Sequence, residues 1–194
     1  MSEPGIIAID DTQAARVLDI MTLAFARDPV ARFWWSQPDQ YLYWWPRWVM
    51  AIGRNGFGHG GVDALADFSA AAIWLPPGIQ TEPADIAALD MPGGDPEEEA
   101  LGNALQAEMA RYHPQEDHWY LWTLGTDPAF QGKGLGGQLL EHRLDVADDA
   151  GIPAYLEASS PGLVPFYSRY GFEQVGLIEV SAVPPLVPMY RKPR

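Results

Sequence analysis

HWYLWTLGTDPAFQGKGLGGQLLEHRLDVADDAGIPAYLEA, residues 118–158, decides the fold. It opens with an aromatic and apolar run that reads as a strand. A glycine-rich turn follows from Gln131 to Gly137, and the next residues, up to the Gly151 breaker, have helical spacing. The stretch closes on IPAYLEAS, a second strand. Strand, long crossover and strand make a βαβ unit whose two strands run parallel. Downstream, LVPFYSRYG (163–171) predicts a short helix with Gly171 as its C-cap, then FEQVGLIEVSAV (172–183) and a final strand at LVPMYRK (186–192). Upstream, residues 11–27 predict an amphipathic helix that begins on an Asp/Thr cap and ends before Asp28-Pro29. A second helix is predicted over 38–53 and is broken by NGFGHGG (55–61). DALADFSAAAIWL (63–75) reads as two strands around a turn near Asp67-Phe68, and residues 95–112 as a helix with a strongly acidic first turn. The expected fold class is therefore α+β: one mixed, mostly antiparallel sheet flanked by helices, with a single parallel βαβ unit carrying the glycine loop.

A length of 194 residues fits one domain spanning 1–194, and 47% hydrophobic against 20% charged residues excludes disorder and fibrous repeats. Twenty-six acids against twelve bases give a net charge of −14, a field that repels phosphate backbones, so nucleic acid is not an expected partner. With no cysteine, disulfides, thiolate metal sites and a cysteine nucleophile are all excluded. His59, His113, His118 and His142 lack metal-ligand spacing, so no metal site is expected. No apolar run reaches the ~18–20 residues of a spanning helix, so no membrane role is expected. The N-terminal MSEPGIIAIDD lacks the basic start and long apolar core of an export signal, and a cytoplasmic location is the expectation.

The turn carries the chemistry. Gly132, Gly134, Gly136 and Gly137 open a helix, where unpaired N–H groups and the positive dipole end converge and a phosphate can approach closely. A P-loop fails, because Gly125 lies too far from Gly132 and Gly134 follows Lys133 where Ser or Thr is required. Gly132, Gly134 and Gly137 do satisfy G-x-G-x-x-G, with Glu157 about 20 residues further on, as a dinucleotide site would have it. TDPAFQ, however, separates the strand from the motif, and too little chain remains for a two-half nucleotide domain. A helix N-terminus that needs small residues only for packing is the remaining reading.

Gln131, Gly134 and Gly136 fit the Q/R-x-x-G-x-G/A pattern, and LGTDPAFQGKGLG (124–136) resembles the pyrophosphate loop of the GCN5-related N-acetyltransferases (GNAT). AGIPAYLEASSP (150–161), VPFYSRYGF (164–172) and the closing YRKP are similar in wording and spacing to the family's puromycin N-acetyltransferase branch. The likeness is strong over about 118–193; over residues 1–117 only the layout agrees. The resemblance implies a GNAT-like fold and an acetyltransferase that uses acetyl-coenzyme A as cosubstrate. The acetyl group passes directly to an amine or hydroxyl of a small molecule, without a covalent enzyme intermediate.

It implies that the coenzyme lies where the two parallel strands part. Its pantetheine arm contacts the backbones of Leu124, Gly125 and Thr126, and its pyrophosphate sits on Gln131, Gly132, Lys133, Gly134, Leu135, Gly136 and Gly137. Lys133 reads equally well as a surface lysine. Tyr167 matches the tyrosine that protonates the departing thiolate; from composition alone it is a core aromatic beside Phe166 and Tyr170. Glu157 matches a glutamate that serves as base or as anchor of a cationic acceptor, and equally a strand-end carboxylate near a helix start. Arg169 stands where it could approach the nucleotide end of the coenzyme, and reads first as a surface residue. Where relatives carry Asn after Pro-Arg, this chain has Pro161-Gly162-Leu163; the departure puts coenzyme contacts in doubt and favours, as the alternative, a non-catalytic coenzyme A-binding regulatory protein of the same fold. Phe33, Trp34, Trp35, Tyr41, Tyr43, Trp44, Trp45 and Trp48 form either an aromatic wall for a flat or apolar acceptor or the packing of the second helix on the sheet.

Overall fold

Aspartate caps start three of the helical segments among the described residues. Asp10 accepts from the Thr12 amide before α1 (Ala14–Ala24). Asp28 accepts from the Val30 and Ala31 amides at the start of α2 (Pro29–Trp34), with proline in the first turn, where its missing N–H costs nothing. Asp95 does the same through Glu97 for α5 (Pro96–Tyr112). The computed structural model describes residues 5–91 and 95–194; Met1 to Pro4 of the N-terminal stretch read above lie outside them. No helix among the described residues is long and apolar enough to cross a membrane.

Among the described residues eight strands form the sheet: β1 (Ile6–Ala8), β2 (Val62–Leu65), β3 (Ala70–Leu75), β4 (Trp119–Thr126), β5 (Ala154–Ala158), β6 (Glu173–Gln174), β7 (Ile178–Val180) and β8 (Val183–Arg191). Their order is β1-β2-β3-β4-β5-β8-β6, with β7 also on β8. β4 and β5 pair in parallel and the other pairs are antiparallel. This is the mixed α+β sheet expected from the sequence. The crossover helix α6 (Leu135–Asp149) packs on one face with α7 (Val164–Ser168), burying Leu139, Leu140 and Leu144 against Trp74, Leu121 and Leu156. A buried ion pair from Arg143 to Asp63 of β2, 2.6 Å, fixes the rotation of α6 and so the aim of the loop that precedes it.

α3 (Pro38–Gly58) lies with α1 on the opposite face and runs further than predicted, through the glycines taken to end it. The reason is contact, not breakage: a Cβ on Gly56 would stand 2.5 Å from the Trp74 carbonyl oxygen, and one on Gly53 2.8 Å from Ile73. Glycine lets α3 press onto β3. α2 and the short α4 (Pro83–Ala87) were not anticipated.

The tryptophan-rich cluster belongs to this packing. Trp35, Tyr41 and Trp45 are buried among Val17, Met21 and Ile73. Tyr41 donates its hydroxyl to the Thr22 carbonyl (2.8 Å), and Trp45 donates its indole N–H to that of Met21 (3.1 Å). The Thr22 carbonyl at the end of α1 is thereby satisfied, and the Met21 carbonyl, which already takes the Phe25 amide, gains a second donor. The cluster lines no part of the cleft described next; it holds in place the end of α1, which does.

Candidate active site

β4 and β5 pair only from Trp119↔Ala154 to Leu121↔Leu156. Beyond that, β4 stays with β3 as far as Thr126↔Ala70, whereas β5 stays with β8 to Ala158↔Val187. The two central strands therefore part and leave one backbone edge of residues 122–126 without a strand partner. A bulge opposite Ile73 and Trp74 inserts Trp122 as an extra residue, bending β4 where the parting begins. The result is a cleft of about 820 Å³.

The glycine loop closes one end of the cleft. Gly132 and Gly134 both have φ of +79°, and a side chain in that left-handed region costs about 1–2 kcal/mol. Gly134 is the N-cap of α6 and no side chain caps it, so the first amides of the helix have no side-chain acceptor. Gly137 has a different reason, since a Cβ there would collide with the Tyr170 hydroxyl. Gln131 donates its amide to the Thr126 carbonyl (3.2 Å), tying the loop to the end of β4. Leu124, Thr126, Gln131, Gly132, Gly134, Leu135, Gly136 and Gly137 all line the cleft. Two expected contacts do not: Gly125 turns towards Met21 and Ala24 of α1, and Lys133 places its ammonium over the Phe130 ring. Arg169 and Leu163 do line it, the latter with no polar side-chain atom to offer.

Tyr167 reaches the cleft from the α7 face and is 9% exposed. Burial, and then the Asp28 carboxylate, raise its phenol well above the ordinary tyrosine range, so it holds its proton at neutral pH. Asp28 comes from the opposite face. Its second carboxylate oxygen accepts a short hydrogen bond from the Ser159 hydroxyl, bridging the gap between the α1–α2 junction and the end of β5. Three donors thus hold this carboxylate in place. Sequence reasoning placed Asp28 only at a helix end; the Asp-Pro pair equally signals the N-cap of the next helix.

Glu157 also lines the cleft, with a side chain only 5% exposed. It accepts the Tyr120 hydroxyl at 2.8 Å, and its other oxygen has no hydrogen-bond partner among the described residues. Around it lie Tyr155 and His113, whose Nδ1 is 3.9 Å from that free oxygen. Burial first, and then the Glu157 charge, raise the phenols of Tyr120 and Tyr155. None of these neighbours was singled out from sequence as part of the site, because they converge from α5, β4 and β5.

Comparison with known proteins agrees with this layout. The Acetyltransferase (GNAT) family pattern matches residues 98–172. Among curated proteins, the N-alpha-acetyltransferase RimI of Mycobacterium tuberculosis is 32% identical over 77 residues, covering 40% of this chain and 48% of that protein. The mycothiol acetyltransferase of Mycobacterium avium is 32% identical over 112 residues, covering 52% of this chain and 35% of that one. The chain thus spans at most about half the length of these relatives. Among solved structures, one titled histone acetyltransferase HPA2 and related acetyltransferase from Corynebacterium glutamicum superposes with a TM-score of 0.71 at 23% identity, covering 100% of this chain and 98% of that one. Arylalkylamine N-acetyltransferase 2 from Aedes aegypti does so at 0.67 and 13%, covering 100% of both. Residues 98–172, which hold the parting strands and the bare helix start, thus carry the sequence pattern of the Acetyltransferase (GNAT) family.

Proposed function

We propose that the protein transfers an acetyl group from acetyl-coenzyme A to the amine of a small molecule, directly between the two bound substrates. The observation that carries the reading is the buried, protonated phenol of Tyr167, in a cleft that also holds an open strand edge and an uncapped helix start. Such a helix start suits a diphosphate despite the net charge of −14, because its donors are main-chain amides. The residues from Gln131 to Gly137 hold the diphosphate in this reading, and the free edge around Leu124 to Thr126 takes the amide-bearing pantetheine arm as an added strand. Arg169, at the rim of the cleft, adds a cation.

Each side chain then has one task. A backbone N–H of the bulged β4 supports the charge growing on the thioester oxygen, Tyr167 gives its proton to the leaving sulfur, and holding both substrates together supplies several kcal/mol of orientation. Of the two carboxylates, Asp28 is saturated with donors and serves as fixed charge attracting an ammonium. Glu157 has a free oxygen and is the base. Arylalkylamine and agmatine N-acetyltransferases among the structural neighbours are named for amine acceptors, which favours the same class here. The acceptor walls are Phe25, Trp122, Asp28 and Glu157, which suit a cationic amine on an apolar body.

The test is titration with acetyl-coenzyme A and with NAD, followed by thiol release in the presence of a panel of amines. Binding of the first with amine-dependent thiol release is expected. Binding of NAD alone overturns the reading, and coenzyme binding without turnover on any amine leaves the regulatory alternative that Leu163 favours.

A further inference from the structure

Acetylation of an ammonium releases a proton. The C–S bond of the thioester breaks and a C–N bond forms; the nitrogen sheds two protons, the sulfur gains one, and one must reach water. With both substrates in the cleft, the Glu157 carboxylate that takes this proton is shut in, its side chain being 5% exposed. Tyr120 and Tyr155 pack against it, and both hold their own protons tightly. His113 differs. Its ring stands at the C-terminal end of α5, with Nδ1 3.9 Å from the unpartnered Glu157 oxygen, and its side chain is 37% exposed. It is a titratable group that touches both the buried carboxylate and the solvent.

We propose that His113 is the proton outlet of the acceptor site, taking the proton from Glu157 and delivering it to bulk water. The inference rests on the acetyl-transfer reading given above. Histidine suits the task because its ordinary pKa, about 6.5, lets it load and unload near neutrality. The gap of 3.9 Å closes by a small side-chain rotation or through one water, as apo geometries commonly require. The groups facing the ring are Glu157 and Tyr155 from β5, Tyr120 from β4 and His118 from the segment before β4. His118 is held by burial towards its neutral form, and its Nδ1 lies 2.8 Å from the Glu116 carbonyl, so it adds little charge beside His113.

The test is His113→Gln, with His113→Asn as a second variant, assayed for amine-dependent thiol release between pH 5.5 and 9 in buffers of rising concentration. A relay role predicts kcat falling at least tenfold at pH 7, a KM for the amine within about threefold of wild type, and recovery as imidazole is added. Wild type should be indifferent to buffer concentration, a control that needs neither variant to fold. Variants with the wild-type rate and pH profile, a loss that no buffer restores, or a wild-type rate that climbs with buffer would each overturn the proposal. Absence of turnover in wild type itself would instead strike the acetyl-transfer reading on which it rests.

Discussion

Replacing Tyr167 by Phe deletes one oxygen atom and tests the chemistry with little disturbance of the fold. Burial and the Asp28 charge account for the state of the phenol, with no hydrogen bond contributing, so the fold gives up no satisfied partner with the hydroxyl. The expected change in stability is under about 1 kcal/mol. Coenzyme affinity should likewise stay within about threefold, because the diphosphate and pantetheine contacts are assigned to the backbone around Gly134 and Leu124. Turnover is another matter. Loss of a positioned general acid typically costs 10²–10⁴-fold, equivalent to about 3–5 kcal/mol of transition-state stabilisation. The assay is thiol release at saturating amine, run beside a coenzyme titration and a denaturant melt on the same preparation. A kcat within about threefold of wild type, with affinity and stability unchanged, would refute the assignment of Tyr167. Because its phenol ionises above the ordinary range, the wild-type protein should keep this proposed acid function past pH 10.

Asp28→Asn removes a charge that helps keep Tyr167 protonated; the phenol's ionisation falls back towards its ordinary value and the alkaline limb of the pH–rate profile moves to lower pH, with stability nearly unchanged because Asn also caps helices. An unmoved limb would contradict the coupling. Gly134→Ala forces a side chain into φ +79° and should cost about 1–2 kcal/mol in a thermal melt while weakening acetyl-coenzyme A measurably in calorimetry; unchanged affinity would remove the start of α6 from its role. Gly56→Ala drives a methyl to 2.5 Å from the Trp74 carbonyl oxygen and should cost about 1–3 kcal/mol of unfolding free energy, with no effect if α3 can slide.

The β4–α6–β5 unit was legible in the sequence because its signals are local: an apolar strand, positive-φ glycines and a helical repeat within one stretch. So was the hairpin of β2 and β3 around Asp67-Phe68. The length of α3 was not, since glycine marks a break along the chain but a close approach across space, and only the position of Trp74 decides between the two. Asp28 stayed hidden because its partner Ser159 is 131 residues away, and the same holds for Tyr120, bonded to Glu157 across 37 residues. Sequence pattern also left the tryptophan cluster open between pocket and core. The structure places all three of Trp35, Tyr41 and Trp45 in the core, Tyr41 and Trp45 with their polar atoms bonded at the end of α1 and Trp35 packed on the Trp45 ring. The aromatic rings that do reach the cleft, Phe25, Trp122, Phe130, Phe166 and Tyr167, lie outside that cluster.

A crystal structure with acetyl-coenzyme A bound measures the central claim most directly. The account predicts the diphosphate within hydrogen-bonding distance of the amides between Gly134 and Gly137, the pantetheine arm along the free edge of residues 122–126, and the sulfur beside the Tyr167 hydroxyl. Coenzyme seated elsewhere, or a sulfur out of reach of that hydroxyl, would contradict it.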